Sequence, residues 1–284
     1  MKVFNEIEET KAQIKGWKEE KRSIAFVPTM GFLHQGHGSL IKAARAENDI
    51  VVVSIFVNPT QFGKGEDLDS YPRNLEGDKA LCEAEGVDLI FAPTAGEMYP
   101  SGFSTSVSMS GLTEELCGKS RPEHFGGVCL VVSKLFHIVT PDRAYFGEKD
   151  AQQLAIIRQM VKDLDMSVKI VGCPIVRESD GLAMSSRNAY LSPEERKAAL
   201  ILSQALAEVK SHLLQGEKDC DKLKKILADK IATESLAQLD YGEIVDSFSL
   251  QPISKVSGSI LVALAVKIGK TRLIDNFFLK EENL

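Results

Sequence analysis

The sequence predicts an α/β fold, a Rossmann-like doubly wound parallel sheet followed by a smaller α+β domain. Three observations carry this prediction. Across residues 1–176, nearly all-apolar runs rich in β-branched residues alternate with segments of helical period, the βαβα rhythm of a parallel sheet covered on both faces. After Val176 the rhythm gives way to a polar connector containing Gly and Ser, then long helical stretches, then consecutive strand-like runs. A length of 284 residues with 44% hydrophobic content can fill one large core or two smaller ones. The expected division is 1–176 and 177–284.

The opening "MKVFNEIEETKAQIKGW" (1–17) is amphipathic and charged, unlike a secretory leader. Strands are expected at "SIAFVPT" (23–29), "DIVVVSIFVN" (49–58), "GVDLIFAPT" (86–94), "RAYFG" (143–147) and "SVKIVGCPIV" (167–176). Helices are expected between them at "SLIKAARAEN" (39–48, starting near Gly38 or Ser39), "NLEGDKALCEAEG" (74–86), "FGGVCLVVSKLFHIV" (125–139) and "AQQLAIIRQMVKDL" (151–164). Beyond the connector, Ser192, Pro193 and Glu195 form an S-P-x-E start for one helix over 193–216, with Ser as N-cap and Pro at the first helical position. The runs 241–250, 259–268 and 271–279 read as a small antiparallel sheet, the last two joined by Gly269 and Lys270 as a tight turn. There is no internal repeat and no low-complexity tract.

Charge and composition exclude several classes of function. Lys and Arg total 34 against 40 Asp and Glu, a formal net charge of -6, which argues against a nucleic-acid partner and leaves room for a small, locally bound anion. The five cysteines, Cys82, Cys117, Cys129, Cys173 and Cys220, are scattered and never in a C-x-x-C pair, so neither a disulfide framework nor a thiolate zinc site is suggested and a reducing cytoplasm fits best. The longest purely apolar run, 260–266, is far short of a membrane span.

Four stretches could carry chemistry, each at an expected ligand edge. In "FVPTMGFLHQGHGSL" (26–40), His34 and His37 leave a strand end among glycines and stand beside a helix N-terminus, where free N–H groups and the helix dipole favour an anion. Two packed or surface histidines are the ordinary alternative. Metal ligation ranks lowest because no further ligand lies nearby in sequence. In "FVNPTQFGKGEDLDSYPR" (56–73), Asn58 and Gln61 are neutral amides suited to a polyhydroxy or carboxylate substrate, or else simply turn formers. In "FGEKDAQQL" (146–154), Lys149 supplies a mobile cation and Gln153 follows Asp150 by about one helical turn; a solvated charge cluster is the alternative. In "GLAMSSRNAYL" (181–191), two hydroxyls and a guanidinium can meet phosphate oxygens, although composition alone equally describes a flexible linker.

Taken together in this order, with "RPEHFGGVCLVVSKLF", these stretches resemble the pantothenate synthetase (pantoate-beta-alanine ligase) family of the H-x-G-H nucleotidyltransferase superfamily, over most of residues 24–191. H-x-G-H alone is weakly specific, whereas "NPTQF", "FGEKD" and "MSSRN" beside it are strongly so. The resemblance implies ATP-dependent condensation of pantoate with β-alanine through pantoyl adenylate, releasing AMP and pyrophosphate, with Mg2+ on the triphosphate, and a homodimer. It further implies an ATP site made by Met30, Gly31, Phe32, Leu33, His34, Gln35, Gly36 and His37, by Gly147, Glu148, Lys149 and Asp150, by Val176, and by Met184, Ser185, Ser186 and Arg187. His37, His34 and Lys149 then act in catalysis, and Gln61 and Gln153 take substrate beside Asn58. Protein ligands for the metal are not assigned. Two positions depart from the family pattern: Gly38 follows His37 where a bulkier apolar residue is expected, and Gly77 precedes Asp78 where relatives carry a second acid. A nucleotidyltransferase acting on a phosphorylated acceptor would also use the H-x-G-H turn, but would call for more Arg and Lys than a cleft of neutral amides supplies. A noncatalytic nucleotide sensor is the remaining alternative.

Overall fold

The apolar runs before residue 176 become parallel strands. In the computed structural model, which describes residues 1–283, the chain runs through β1 (Lys2–Phe4), α1 (Ile7–Glu19), β2 (Ile24–Thr29), α2 (Gln35–Glu47), β3 (Ile50–Ile55), α3 (Leu75–Ala84), β4 (Leu89–Phe91) and α4 (Ala95–Met98). It continues through α5 (Cys117–Ser120), α6 (His124–Val139), β5 (Arg143–Gly147), α7 (Ala151–Asp163) and β6 (Lys169–Cys173). The sheet order is β1-β4-β3-β2-β5-β6 and every pairing is parallel. On β2, Ile24, Ala25, Phe26 and Val27 are fully buried, and alternation explains why both faces are apolar. Ala25 and Val27 join Ile41 and Ala44 of α2 in one core cluster, while Phe26 meets Phe136 of α6 edge-on at 6.4 Å. Because β2 has β3 on one side and β5 on the other, the strand order reverses between β2 and β5, the position at which open α/β sheets place their ligand crevice.

Two elements of this unit differ from expectation. β1 is an additional edge strand of three residues pairing with β4, too short and too charged in its surroundings to show a period. α2 begins at Gln35, ahead of Gly38, because its N-cap is an imidazole rather than one of the usual hydroxyl or carboxyl caps. Gly38 itself is buried, and an added Cβ would lie 3.4 Å from both Gln35 Oε1 and Glu85 Oε1, the movable ends of two long side chains, so the position is snug without forbidding a side chain.

The chain divides into two units: Met1–Met109 with Arg121–Glu148 and Gln153–Val176, and Ser110–Ser120 with Lys149–Gln152 and the chain from Arg177 onward. Two short pieces of the first 176 residues thus group with the second unit. That unit contains α8 (Pro193–Ala198), α9 (Ile201–Leu214), α10 (Cys220–Ile231) and the antiparallel sheet of β7 (Ala237–Asp246), β8 (Ile260–Ile268) and β9 (Thr271–Leu279). Its core joins Leu202, Leu206 and Val209 of α9 and Leu223 and Leu227 of α10 to the Val262–Leu264–Val266 face of β8.

The S-P-x-E start is a capping box, with Ser192 Oγ accepting from Glu195 N–H and Glu195 Oε2 accepting from Ser192 N–H. The single helix expected over 193–216 is instead interrupted after Ala198, where Leu200 and Leu202 donate to Lys197 and Ala199, three residues back, and the ladder tightens for one step. Ile268 pairs with Thr271 across Gly269 and Lys270, and Gly269 holds φ +57°, the turn that the sequence indicates. β7 begins earlier than expected because a register shift between Leu239 and Tyr241 breaks its alternation. All five cysteines are free and buried. No helix among the described residues is long and apolar enough to cross a membrane.

Candidate active site

β2 ends at Thr29 and the chain must turn sharply to enter α2. Gly31 at φ +83° and Phe32 at φ +53° make that turn, and Phe32 in the left-handed region costs on the order of 1–3 kcal/mol. A side chain at Gly31 would place its Cβ 2.9 Å from Ile55 Cγ2 and 3.0 Å from Asp78 Oδ2. Asp78, 2% exposed on α3, accepts from the backbone N–H groups of Phe32 and Leu33 at 3.0 and 2.6 Å. Burial raises its pKa above the ordinary carboxyl value, and these two hydrogen bonds work in the opposite direction.

His34 and His37 follow on the first turn of α2, their ring centroids 4.1 Å apart. His34 Nδ1 accepts from Gly36 N–H at 3.1 Å, and His37 Nδ1 accepts from His34 N–H at 3.2 Å. A backbone amide can only donate, so both Nδ1 atoms are unprotonated and both neutral rings carry their proton on Nε2. The helix start therefore uses one nitrogen of each imidazole as a cap, and the proton of each ring sits on the other. A phosphate group at such a terminus would meet donors without any histidine becoming a cation.

Gln61 closes the 3₁₀ turn Pro59–Gln61 after β3. Its Nε2 lies 3.0 Å from Met30 Sδ, which links it to the turn after β2, and its Oε1 accepts from Asn58 Nδ2 at 3.1 Å. Asn58, expected to face substrate, is only 1% exposed. Its Nδ2 also donates to Gly127 O, and its Oδ1 accepts from Thr60 and from Tyr99 Oη, so the amide is occupied inside the protein and fixes Gln61 from behind. The N-terminal end of α6 holds the same turn: Arg121 Nη2 and His124 Nδ1 lie 3.4 and 2.8 Å from Gln61 O. Arg121 also pairs with Glu66; burial works to raise the Glu66 carboxyl, but the Arg121 hydrogen bond and charge outweigh it and hold it below the usual range.

Gly127 is the point where α6 touches this turn, and a Cβ there would fall 2.1 Å from Thr60 O. Gly127→Ala is therefore expected to destabilise the protein by about 1–3 kcal/mol and to displace the Pro59–Gln61 turn, with a change in the initial rate. A chemical-denaturation midpoint and an initial-rate series check both effects.

Each remaining expected site residue can be placed within its own unit. Gly147 ends β5, Glu148 begins the 3₁₀ turn that leads into α7, and Gln153, half-buried, lies on the first turn of that helix. Val176, half-buried, is the last residue of the first unit. In the second unit Lys149 Nζ stands 3.7 Å from Asp150 Oδ2, and Asn276 Nδ2 donates to Lys149 O at 2.7 Å. The connector is braced rather than slack. Arg177 makes a two-pronged ion pair with buried Asp275 at 2.7 and 2.8 Å, Arg196 binds Glu178 and Asp180, and Arg177 bridges to Ala183. Within it Met184 and Arg187 are half-buried, Ser186 is buried, and Ser185 caps the 3₁₀ turn Ser186–Tyr190 by accepting from Arg187 N–H at 3.3 Å.

Sequence reasoning assigns no part to Asp78, Arg121, His124, Glu66 or Asn276. Asp78 alone leaves a legible signal: it is an acid one helical turn from buried Cys82, hence on the inward face of α3. Among the described residues no cluster of three or more His, Cys, Asp or Glu side chains is arranged to hold a metal ion, so these residues build no cation cage of their own.

A family model described as Pantoate-beta-alanine ligase matches residues 2–278. The pantothenate synthetase of Clostridium botulinum (strain Loch Maree / Type A3) is 56% identical over 280 residues, 99% of this chain and 100% of that one. The crystal structure of pantothenate synthetase from Thermus thermophilus matches with a TM-score of 0.93 at 46% identity, covering 98% of this chain and 99% of that one. That of pantoate-beta-alanine ligase from Francisella tularensis, complexed with beta-gamma ATP and beta-alanine, matches with a TM-score of 0.80 at 36% identity, covering 99% and 98%. With likeness of this degree along nearly the whole length, the chain belongs to the pantoate-beta-alanine ligase family.

Proposed function

We infer that this protein is a ligase that condenses pantoate with β-alanine using ATP, through a pantoyl adenylate, and releases AMP and pyrophosphate. The observation that carries the reading is the likeness to pantoate-beta-alanine ligases along nearly the whole chain, and the pair of imidazoles whose Nδ1 atoms are occupied by backbone N–H groups at the start of α2 supplies its chemistry. Attack of an already ionised carboxylate on the α-phosphate needs no base. It builds negative charge on nonbridging oxygens and on the leaving pyrophosphate, and fixed N–H donors lower that barrier. His34 and His37 donate through Nε2 while the backbone from Met30 to His37 lies along the nucleotide. Lys149 and Arg187 supply full positive charge, and Ser185 and Ser186 supply hydroxyls. Gln61 and Gln153 take the pantoate hydroxyls and carboxylate, with Asn58 positioning Gln61. The amine of β-alanine then attacks the acyl carbon of the adenylate, and AMP leaves with the C–O bond electrons. Magnesium carried on the triphosphate would neutralise part of its charge. The reading extends to a homodimer, supported by the family likeness, and to a cytoplasmic location, supported by five free thiols.

The test is exchange of labelled pyrophosphate into ATP. Exchange that requires pantoate and proceeds without β-alanine is the expected result, with pantothenate formed once β-alanine is added. Folded protein that shows neither would sink the reading. Light scattering of the same sample checks the dimer.

A further inference from the structure

The turn that carries the two histidines holds two consecutive residues in a strained backbone conformation. Gly31 and Phe32 are both in the left-handed region, and a cavity of about 360 Å³ opens against the turn, lined by Met30, Gly31, Phe56, Leu75, Asp78 and Pro93. Met30 and Gly31 border that cavity, with Gly31 itself packed closely against Ile55 and Asp78. The backbone of the turn is tied down by the Asp78 carboxylate, whose two oxygens each accept one of the consecutive N–H groups of Phe32 and Leu33. A negative charge beside a phosphate site works against binding the nucleotide, and its burial costs further free energy. Its position is accounted for by what it holds: Leu33 N–H is one residue from His34, the cap on which both ring tautomers depend.

We propose that Asp78 is a positioning residue for the adenylation step, acting through the strained Gly31–Phe32 turn to aim the Nε2 donors of His34 and His37. The proposal rests on the ligase reading for its kinetic arm only. In Asp78→Asn one carboxylate oxygen becomes an NH2 group facing a backbone N–H, so one of the two consecutive hydrogen bonds is replaced by a donor–donor contact. The turn then relaxes, and the histidine cap with it.

Two measurements on the full-length protein test this. In ligand-free protein, NMR of the imidazole nitrogens is expected to show His34 and His37 as fixed Nε2–H tautomers, and in Asp78→Asn their shifts are expected to move toward the tautomer-averaged values. In pyrophosphate exchange, kcat of Asp78→Asn is expected to fall roughly 10–100-fold with a much smaller change in KM for ATP. Combined with His37→Ala, the two losses are expected to be less than multiplicative, since both act on one donor. Unchanged histidine signals, a wild-type kcat, or losses that multiply would each overturn the proposal. The NMR arm stands even if no exchange is seen in the wild type, which separates failure of this inference from failure of the ligase reading. Should Asp78→Asn not fold, Asp78→Glu, which keeps both acceptors one methylene further out, is read by the same measurements.

Discussion

His37→Ala is expected to lower the rate of pantoyl-adenylate formation by roughly 10²–10³, the usual worth of one preorganised donor to a developing oxyanion. The loss should fall on kcat for pantoate-dependent pyrophosphate exchange, because the hydrogen bond strengthens only as charge builds at phosphorus. The same substitution removes an acceptor from His34 N–H, so about 1 kcal/mol of capping stability goes with it. A melting curve separates that small cost from the kinetic one. His37→Asn should recover the cap more than the rate, since its amide oxygen can accept from His34 while its NH2 reaches less far than Nε2. Single-turnover adenylation by folded His37→Ala at a near wild-type rate would show that the charge is stabilised elsewhere.

The features that sequence makes legible are those with a local cause. β2, β3 and β5 are visible because burial on both faces makes their apolar runs continuous, and Ser192 is visible because a capping box is a four-residue pattern. The hairpin at Gly269 is visible for the same reason. By contrast, the start of α2 depends on imidazole nitrogens acting as caps, which no propensity rule includes, and β1 exists only because β4 offers it an edge. The interruption after Ala198 has no glycine or proline to announce it.

The site divides along the same line. The motifs "HQGH", "NPTQF" and "GEKD" are contiguous and legible as chemistry-bearing stretches, but the side chains that hold them come from elsewhere in the chain. Asp78 reaches Phe32 across 46 residues, and Arg121 and His124 reach Gln61 across 60 and 63. Asn58 shows what the motif leaves out. An amide there reads as a substrate contact, and only the fold shows it buried with Gln61, Gly127, Thr60 and Tyr99 as its partners. Residue type indicates what a group can do, and only the fold decides which direction it faces.

Lys149→Ala is expected to match His37→Ala in size, a loss of roughly 10²–10³ in adenylate formation, for a different physical reason. Here the missing contribution is a full charge rather than a dipole, so Lys149→Gln should be nearly as impaired as Lys149→Ala, and Lys149→Arg should keep part of the rate while losing the compact ammonium. Glutamine keeps most of the buried stem, since the Lys149 side chain is 18% exposed, whereas alanine also loses that packing. The backbone at this position is held through Lys149 O by Asn276, and the ion pair with half-exposed Asp150 is long at 3.7 Å, so Lys149→Gln is the structurally milder change. Lys149→Gln should therefore melt close to the wild type while its pyrophosphate exchange collapses. Raised ionic strength should slow the wild type more than Lys149→Gln, because salt screens a charge–charge attraction that the variant has already lost. If Lys149→Gln exchanged pyrophosphate at the wild-type rate, or if salt slowed both equally, the positive charge at this position would have no part in the phosphoryl chemistry, and Arg187 would be left as the cation to test.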